Sequence, residues 1–267
     1  MVLRPYNRDA LKAEFDAAEP FRHIMVEQLL DPNFALEAAR SFPTFEEAVR
    51  QGFSFDFVNE RKKVQISDSS RFPEPIARLN AALASPEFLA DLEYITGIPN
   101  LLADEHLAGG GMHVTGAHGR LDVHVDFNYS EERRLHRRLN VLVYLNPSWD
   151  DRWAGAVELW DRDVKRCHRA VLPHLGRCVL FETSDFSFHG VQPLLCPESV
   201  VRKSFAAYYY TTEPPPGWDG TRHTTIFKPR PDELLRRFVQ MPAEKLRRRG
   251  SEAFRDLKAG LKGLFRG

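Results

Sequence analysis

Hydrophobic residues in the first hundred positions recur mainly three or four residues apart, which is the spacing of a helix face. Asp31 and Ser85 are each followed by a proline, and both residue types suit a helix N-cap. Gly97 marks the end of this helical part. The pattern predicts helices over residues 9–18, 30–42, 73–84 and 85–96, and a strand over residues 21–26.

After position 100 the pattern changes to short apolar runs separated by Gly, Pro and Asp, which is typical of antiparallel β structure. Glycines between 109 and 119 predict the turn-rich start of a barrel, since no Lys-Ser/Thr pair of a phosphate loop follows them. We therefore predict an α+β fold: a double-stranded β-helix (jelly-roll, cupin-like) barrel with flanking N-terminal and C-terminal helices. Its strands are predicted over residues 139–145, 156–160, 178–181, 187–191 and 200–210.

These elements divide the chain into three parts. Residues 1–100 form an N-terminal helical support with one or two strands, residues 101–213 form the jelly-roll core, and residues 214–267 form a C-terminal helical extension packed on the core. The extension is strongly basic over residues 231–265. We interpret that stretch as a solvated amphipathic helix. The alternative is that this stretch binds a nucleic acid or an acidic partner. It is less favoured because the stretch has neither interleaved aromatic residues nor a recognised nucleic-acid module.

One further segment, residues 52–66, has two interpretations. Phe53, Phe55 and Phe57 alternate with polar residues and are followed by three cations at 61–63. The segment is either extended and exposed near the mouth of a site, or a hairpin or loop with a solvated basic tip. The second interpretation is the preferred one.

Composition and charge limit the partners and the cellular location that the sequence predicts. Lys+Arg and Asp+Glu are equal at 37 each, so no global field favours nucleic acid or an anionic membrane. No apolar run reaches the ~20 residues that cross a bilayer, and the first 20 residues lack the apolar region of a signal peptide. Three cysteines suggest no disulfide framework. We expect a cytoplasmic protein, with neither a membrane nor a nucleic acid among its partners.

The candidate chemistry centres on a strand-like run that contains His124 and Asp126. Side chains two residues apart on a strand leave the same face, so the imidazole and the carboxylate point into one space. His189, in a later β-prone run, offers a third ligand. Two His and one carboxylate are the facial triad of non-haem Fe(II) oxygenases. Arg202, on the last predicted strand, is a candidate anchor for an organic co-substrate.

The wider pattern consists of His124-x-Asp126, Tyr144-Leu-Asn146, Trp149, Gly155, His189-x-Val191 and Arg202-x-Ser204. Together these motifs resemble the Fe(II)/2-oxoglutarate dioxygenases of the prolyl 4-hydroxylase-like branch, bacterial type. The resemblance spans residues 109–212, and the layout of residues 21–42 and the tail at 224–230 are also similar to bacterial members. Two departures, Ala154 and Lys203, touch no ligand position.

The resemblance implies that His124, Asp126 and His189 bind Fe(II) and that Arg202 holds the distal carboxylate of 2-oxoglutarate. A planar guanidinium suits that carboxylate because it can donate two parallel hydrogen bonds. Tyr144 and Ser204 are expected to help bind the same carboxylate. The alternative role of Tyr144 is a packing residue of the barrel core.

The implied activity is a dioxygenase reaction with O₂ that yields succinate and CO₂, with ascorbate as a reductant. Its substrate is expected to be prolyl or peptidyl, an amino acid, or a natural product. Asn128 and Arg138 are the predicted substrate contacts. His113 and His136 could line the mouth of the substrate site, but a surface position is the preferred interpretation of each. The alternatives are a non-catalytic jelly-roll binding protein with a vestigial metal site and a basic-tailed nucleic-acid demethylase.

Overall fold

The structure, a computed structural model, describes residues 1–233, so the predicted basic helix at 231–265 lies almost wholly outside the described residues. The described helices are α1 (Arg8–Ala17), α2 (Pro32–Arg40), α3 (Phe45–Gln51), α4 (Glu74–Leu83) and α5 (Pro86–Thr96). Two short 3-10 helices cover Ser69–Arg71 and Asp151–Trp153. In residues 1–233, none of the helices is long and apolar enough to span a bilayer.

The strands of the described part are β1 (His23–Val26), β2 (Phe53–Phe55), β3 (Glu60–Ile66), β4 (Leu102–Ala103), β5 (Gly111–Val125), β6 (Tyr129–Ser130), β7 (Leu135–Tyr144), β8 (Val157–Trp160), β9 (Cys167–Val171), β10 (Cys178–Glu182), β11 (His189–Val191), β12 (Arg202–Thr211) and β13 (Ile226–Phe227).

The helix starts follow from the capping residues found in the sequence. The Asp31 side chain accepts hydrogen bonds from the backbone N–H groups of Asn33 and Phe34, and the Ser85 side chain accepts one from that of Phe88. Gly97 ends α5 in the left-handed conformation, with φ at 70°. The predicted caps and helix end are therefore confirmed. Helix α3 was not predicted, although Thr44 and Glu47 form the reciprocal hydrogen bonds of a capping box.

The strands form one curled antiparallel sheet whose main order is β1-β10-β7-β12-β5-β11-β8-β9. Strand β5 joins its two halves: residues 111–115 pair with β12, and residues 121–124 pair with β11. One half is thus β10-β7-β12-β5, and the other is β5-β11-β8-β9. This arrangement confirms the predicted double-stranded β-helix.

Strand β5 corrects the expectation of a turn-rich start to the barrel. Glycines that the sequence suggested as turn residues lie inside this 15-residue strand. A Cβ atom at Gly111 would lie 2.3 Å from the Ile66 carbonyl oxygen, and one at Gly119 would lie 2.4 Å from the Thr115 side chain. Glycine is required here for close approach of neighbouring atoms, a role of strand glycines that resembles a turn signal in the sequence.

Side chains of β7 and β12 alternate between two environments. In residues 139–143 of β7 and 203–209 of β12, odd-numbered side chains lie toward the helical layer and even-numbered ones lie toward the interior of the curled sheet. Burial on both faces explains why β7 reads as a continuous apolar run. The helix-facing set includes Leu139, Val141, Val143, Phe205, Ala207 and Tyr209, which join one hydrophobic core with Ile76 and Leu79 of α4.

We expect Leu79→Ala to lower the free energy of unfolding by about 2–5 kcal/mol, because Leu79 is fully buried between α4 and the sheet. Urea titration followed by circular dichroism measures the change. Arg78→Ala, on the exposed face of the same helix, is the matched control and should cost less than about 1 kcal/mol. Equal losses from the two variants would contradict the assignment of this core.

Candidate metal centre

The two predicted histidine ligands face each other across a pair of strands. His124 on β5 is the register partner of His189 on β11, and their ring centroids lie 4.3 Å apart. Asp126 follows directly after β5. Its carboxylate oxygens lie 3.5 Å from Nε2 of His124 and 3.5 Å from Nε2 of His189. One potential ligand atom from each residue lies within 4.8 Å of the others, so the structure brings the predicted triad together.

Backbone carbonyls orient both imidazoles. Nδ1 of His124 lies 2.9 Å from the carbonyl oxygen of Asp122, and Nδ1 of His189 lies 2.9 Å from that of Ser187. A ring nitrogen in this position donates its proton to the carbonyl. Each histidine therefore turns its Nε2 lone pair toward Asp126, as expected of metal-binding histidines.

Asp126 is held by two side chains that the sequence analysis did not select. Asn140 Nδ2 donates to Asp126 Oδ2 at 2.7 Å, and Arg137 Nη2 lies 3.0 Å from the same oxygen. Arg137 also donates to Asn140 Oδ1 at 2.8 Å and stacks 3.6 Å from the ring centroid of Tyr208. The carboxylate orientation is thus fixed from behind by a buried cation and an amide.

The electrostatics of the site favour the ligand forms that bind a cation. Burial alone would raise the pKa of Asp126, but Arg137 and the imidazoles outweigh it and hold the pKa well below its usual range. Burial, reinforced by neighbouring His124, lowers the pKa of His189 to about 3. An ionised Asp126 and a neutral His189 are the protonation states that a metal ligand requires.

The site opens into a cavity of about 280 Å³ that Arg202 also lines. Arg202 is 4% exposed and donates from Nε to the Gly155 carbonyl oxygen at 2.9 Å and from Nη1 to Ser204 Oγ at 3.4 Å. Among residues 1–233, no carboxylate lies within 4.0 Å of its nitrogens. A buried guanidinium without an acidic partner fits a carboxylate supplied by a ligand.

Tyr144 stands beside this guanidinium, with its ring centroid 4.9 Å from the central carbon of Arg202. Its hydroxyl is fully buried and has no hydrogen-bond partner in the described chain. Burial raises the pKa of Tyr144 to about 12, so the hydroxyl keeps its proton and can donate. The predicted trio of Arg202, Tyr144 and Ser204 therefore lies together.

The structure places neither predicted substrate contact on the cavity wall. Asn128 bonds to a loop instead, to the Thr221 carbonyl oxygen at 2.9 Å and the His223 backbone N–H at 3.0 Å. Arg138 lies near Thr211, with its Nη1 3.3 Å from the hydroxyl oxygen. The contact of Asn128 and Arg138 with substrate stays a prediction.

A β-bulge explains why Arg137 rather than Arg138 enters the cavity. Plain alternation would place residue 138 on the same face as Asn140 and Tyr144. In the structure, β12 pairs with Leu139 and then with Arg137, which skips residue 138. An extra residue in one strand shifts every later side chain to the other face.

Other cavity residues come from segments that the sequence left ambiguous. Residues 52–66 form the β2–β3 hairpin, which was the preferred interpretation of this segment. Phe55, Lys63 and Gln65 of the hairpin nevertheless line the cavity. His113 was expected at the surface but is buried against the cavity, with Nε2 3.0 Å from the Gly109 carbonyl oxygen. His136 is likewise buried, not exposed.

The tail beyond the barrel supplies one more wall. Phe227 of β13 lies 5.3 Å from His124 between ring centroids and lines the cavity together with Thr225. The resemblance of residues 224–230 to bacterial members was the signal that could have identified both residues.

The chain resembles known proteins in sequence and in fold. Residues 110–210 match the family described as the 2OG-Fe(II) oxygenase superfamily. The chain is 28% identical over 233 residues to prolyl 3-hydroxylase OGFOD1 of Mus musculus. This match covers 84% of the chain and 37% of the mouse protein, so the chain spans little more than a third of that relative.

Two solved structures share the fold. The first is a prolyl hydroxylase from Trichoplax adhaerens in complex with a hypoxia-inducible-factor peptide fragment, with a TM-score of 0.55 at 16% identity over 76% of this chain and 88% of the other. The second is a prolyl-4-hydroxylase from Pseudomonas putida, with a TM-score of 0.53 at 15% identity over 75% of this chain and 98% of the other.

Proposed function

We propose, from the premise that residues 110–210 belong to the 2OG-Fe(II) oxygenase superfamily, that the protein is an Fe(II)- and 2-oxoglutarate-dependent dioxygenase. The observation that carries the proposal is the pairing of two sites in one cavity. The His124/Asp126/His189 cluster and the buried Arg202, which has no acidic partner among residues 1–233, line the same cavity.

The cluster would hold Fe(II) through three protein ligands, which leaves coordination positions for a co-substrate and O₂. Arg137 and Asn140 would keep Asp126 ionised and correctly turned. When bound, the iron and its co-substrates supply oxidation of an unactivated C–H bond, coupled to conversion of 2-oxoglutarate to succinate and CO₂.

Arg202 would bind the distal carboxylate of 2-oxoglutarate, with the Tyr144 hydroxyl as a second donor and Ser204 beside them. The chain thereby compensates one negative charge at the deep end of the cavity, where a buried anion would otherwise be strongly disfavoured. This arrangement would fix which end of the co-substrate reaches the metal, a positioning role that lowers the entropic part of the barrier.

A prolyl residue within a peptide or protein is the substrate class that we propose to test first. The names of the mouse relative and of both solved structures specify prolyl hydroxylation, and one of those structures contains a peptide. Free amino acids and natural products remain comparison substrates, and the cytoplasmic location remains a prediction.

We expect the purified full chain, given Fe(II), ascorbate and 2-oxoglutarate, to release succinate, and prolyl peptides to accelerate that release. Mass spectrometry of the peptide should show a gain of one oxygen atom. His189→Ala is the control and should reduce succinate to the level without enzyme, since it removes one metal ligand. Equal succinate from both proteins would contradict the proposal.

The alternative hypothesis, a binding protein without catalytic activity, predicts a different result for the same samples. It would bind Fe(II) and 2-oxoglutarate in calorimetry, yet no peptide, amino acid or natural product would accelerate succinate release.

A further inference from the structure

We propose that Arg230 is a positioning residue for the metal centre: it ties together the strands that carry both histidines and holds Phe227 against His124. The inference rests on the proposed function, because it concerns the same cluster. It extends beyond the residues that match the oxygenase family, which end at 210.

Arg230 is anchored inside the protein although it lies in the tail. It is 7% exposed and donates from Nε to Glu158 Oε2 at 2.8 Å. Asp122, fully buried, lies 3.8 Å from its Nη1. A guanidinium buried between two carboxylates has a geometry that no other side chain reproduces.

The same guanidinium spans three strands of the histidine-bearing half of the sheet. Nη2 donates to the carbonyl oxygens of Leu121 on β5, at 3.3 Å, and Val191 on β11, at 3.1 Å. Glu158 belongs to the adjoining strand β8. Leu121 and Val191 lie three and two residues from His124 and His189 respectively, so Arg230 links the backbone of both histidine strands.

Arg230 contacts β5 and β11 at the place where the hydrogen-bond pairing between these two strands is irregular. His189 pairs with His124, but Val191 pairs with Leu121, so the register shifts by one residue between the two pairs. Such a shift interrupts the regular ladder of hydrogen bonds and leaves one residue unpaired. The hydrogen bonds from one rigid guanidinium to both strands add a connection at this point and would help to keep the two Nε2 atoms at their spacing.

The residues that precede Arg230 in the tail also contact the strand that carries His124. The Lys228 backbone N–H donates to the Val123 carbonyl oxygen at 2.8 Å, and Phe227 is the register partner of His124. With Arg230 fixed at one end, the Phe227 ring is kept against the His124 ring. The tail therefore limits both the movement of this imidazole and its access to water.

The experiment is a Co(II) titration of the metal-free full chain, followed by visible absorption. Co(II) reports both affinity and ligand geometry without any turnover. Arg230→Gln is expected to weaken Co(II) binding about 10-fold and to alter the absorption bands, in the range seen when a partner of a metal ligand is lost. Arg230→Lys should not restore binding, because one compact ammonium cannot reach a carboxylate and two carbonyl groups together.

Two controls separate positioning from general destabilisation. Leu79→Ala should lower thermal stability yet retain the wild-type Co(II) affinity and spectrum, since it lies in the helical layer. Arg222→Gln removes a surface arginine of the same tail, paired with Glu131, and should change neither. If Arg230→Gln does not fold, Glu158→Gln removes the charge opposite Arg230 and should give a smaller change in the same direction.

Wild-type affinity and spectrum in the folded Arg230 or Glu158 variant would overturn the inference while leaving the proposed function intact. A wild-type chain that fails to bind Co(II) would instead overturn the proposed function and, with it, this inference.

Discussion

Asp126→Asn should lower metal affinity, and with it succinate production, by about 100-fold or more. Loss of a partner to a metal ligand typically costs 10–100-fold, and here the ligand itself loses its charge. Oδ2 of Asp126 accepts from Asn140 and lies 3.0 Å from Nη2 of Arg137, so the site is built around an acceptor at that atom. An amide cannot satisfy both sides: its NH₂ group would face either those two donors or the metal.

Calorimetric titration with Mn(II) or Co(II) measures the loss, alongside the succinate assay. Asp163→Asn is the matched control, because Asp163 is an exposed aspartate outside the cavity and should leave both measurements unchanged. An Asp126→Asn protein that binds metal as tightly as wild type would show that the carboxylate is not a ligand.

Arg202→Met should weaken 2-oxoglutarate binding by about 30- to 5000-fold, which corresponds to the 2–5 kcal/mol lost when one partner of a buried charge pair is removed. The substitution leaves the co-substrate carboxylate in a buried site without its guanidinium partner. Metal affinity should be retained, because Arg202 is not part of the cluster. The dissociation constant of 2-oxoglutarate and its KM report the effect.

Lys203→Met is the matched control for Arg202→Met. Lys203 is the next residue of the same strand, but its ammonium bonds to the Ala39 carbonyl oxygen on the helical side at 3.0 Å. Removing that cation should leave 2-oxoglutarate binding unchanged. If both variants bind the co-substrate equally well, the guanidinium does not hold its carboxylate.

The sequence was sufficient for the parts of the site that depend on residue type and strand alternation. Strand alternation predicted that the side chains of His124 and Asp126 lie side by side, and a later β-prone run supplied His189 as the third ligand. Helix ends were also predictable, because capping is a local interaction between a side chain and the next turn.

What the sequence could not supply depends on contacts between distant segments. The bulge that sends Arg137 inward arises from pairing with β12, which no local pattern reveals. The glycines of β5 resembled turns because the neighbouring atoms that require them belong to other parts of the chain. The wall formed by Phe227 is equally a matter of tertiary pairing.

The alternation of β7 and β12 has a consequence for altering specificity. One face of this strand pair sustains the core, while the other meets the small molecules. Most inward positions are themselves buried, but Leu142 is only partly buried and lines the cavity. Laboratory evolution of specificity should therefore begin at Leu142, where a change of side chain alters the cavity without removing a metal or co-substrate contact.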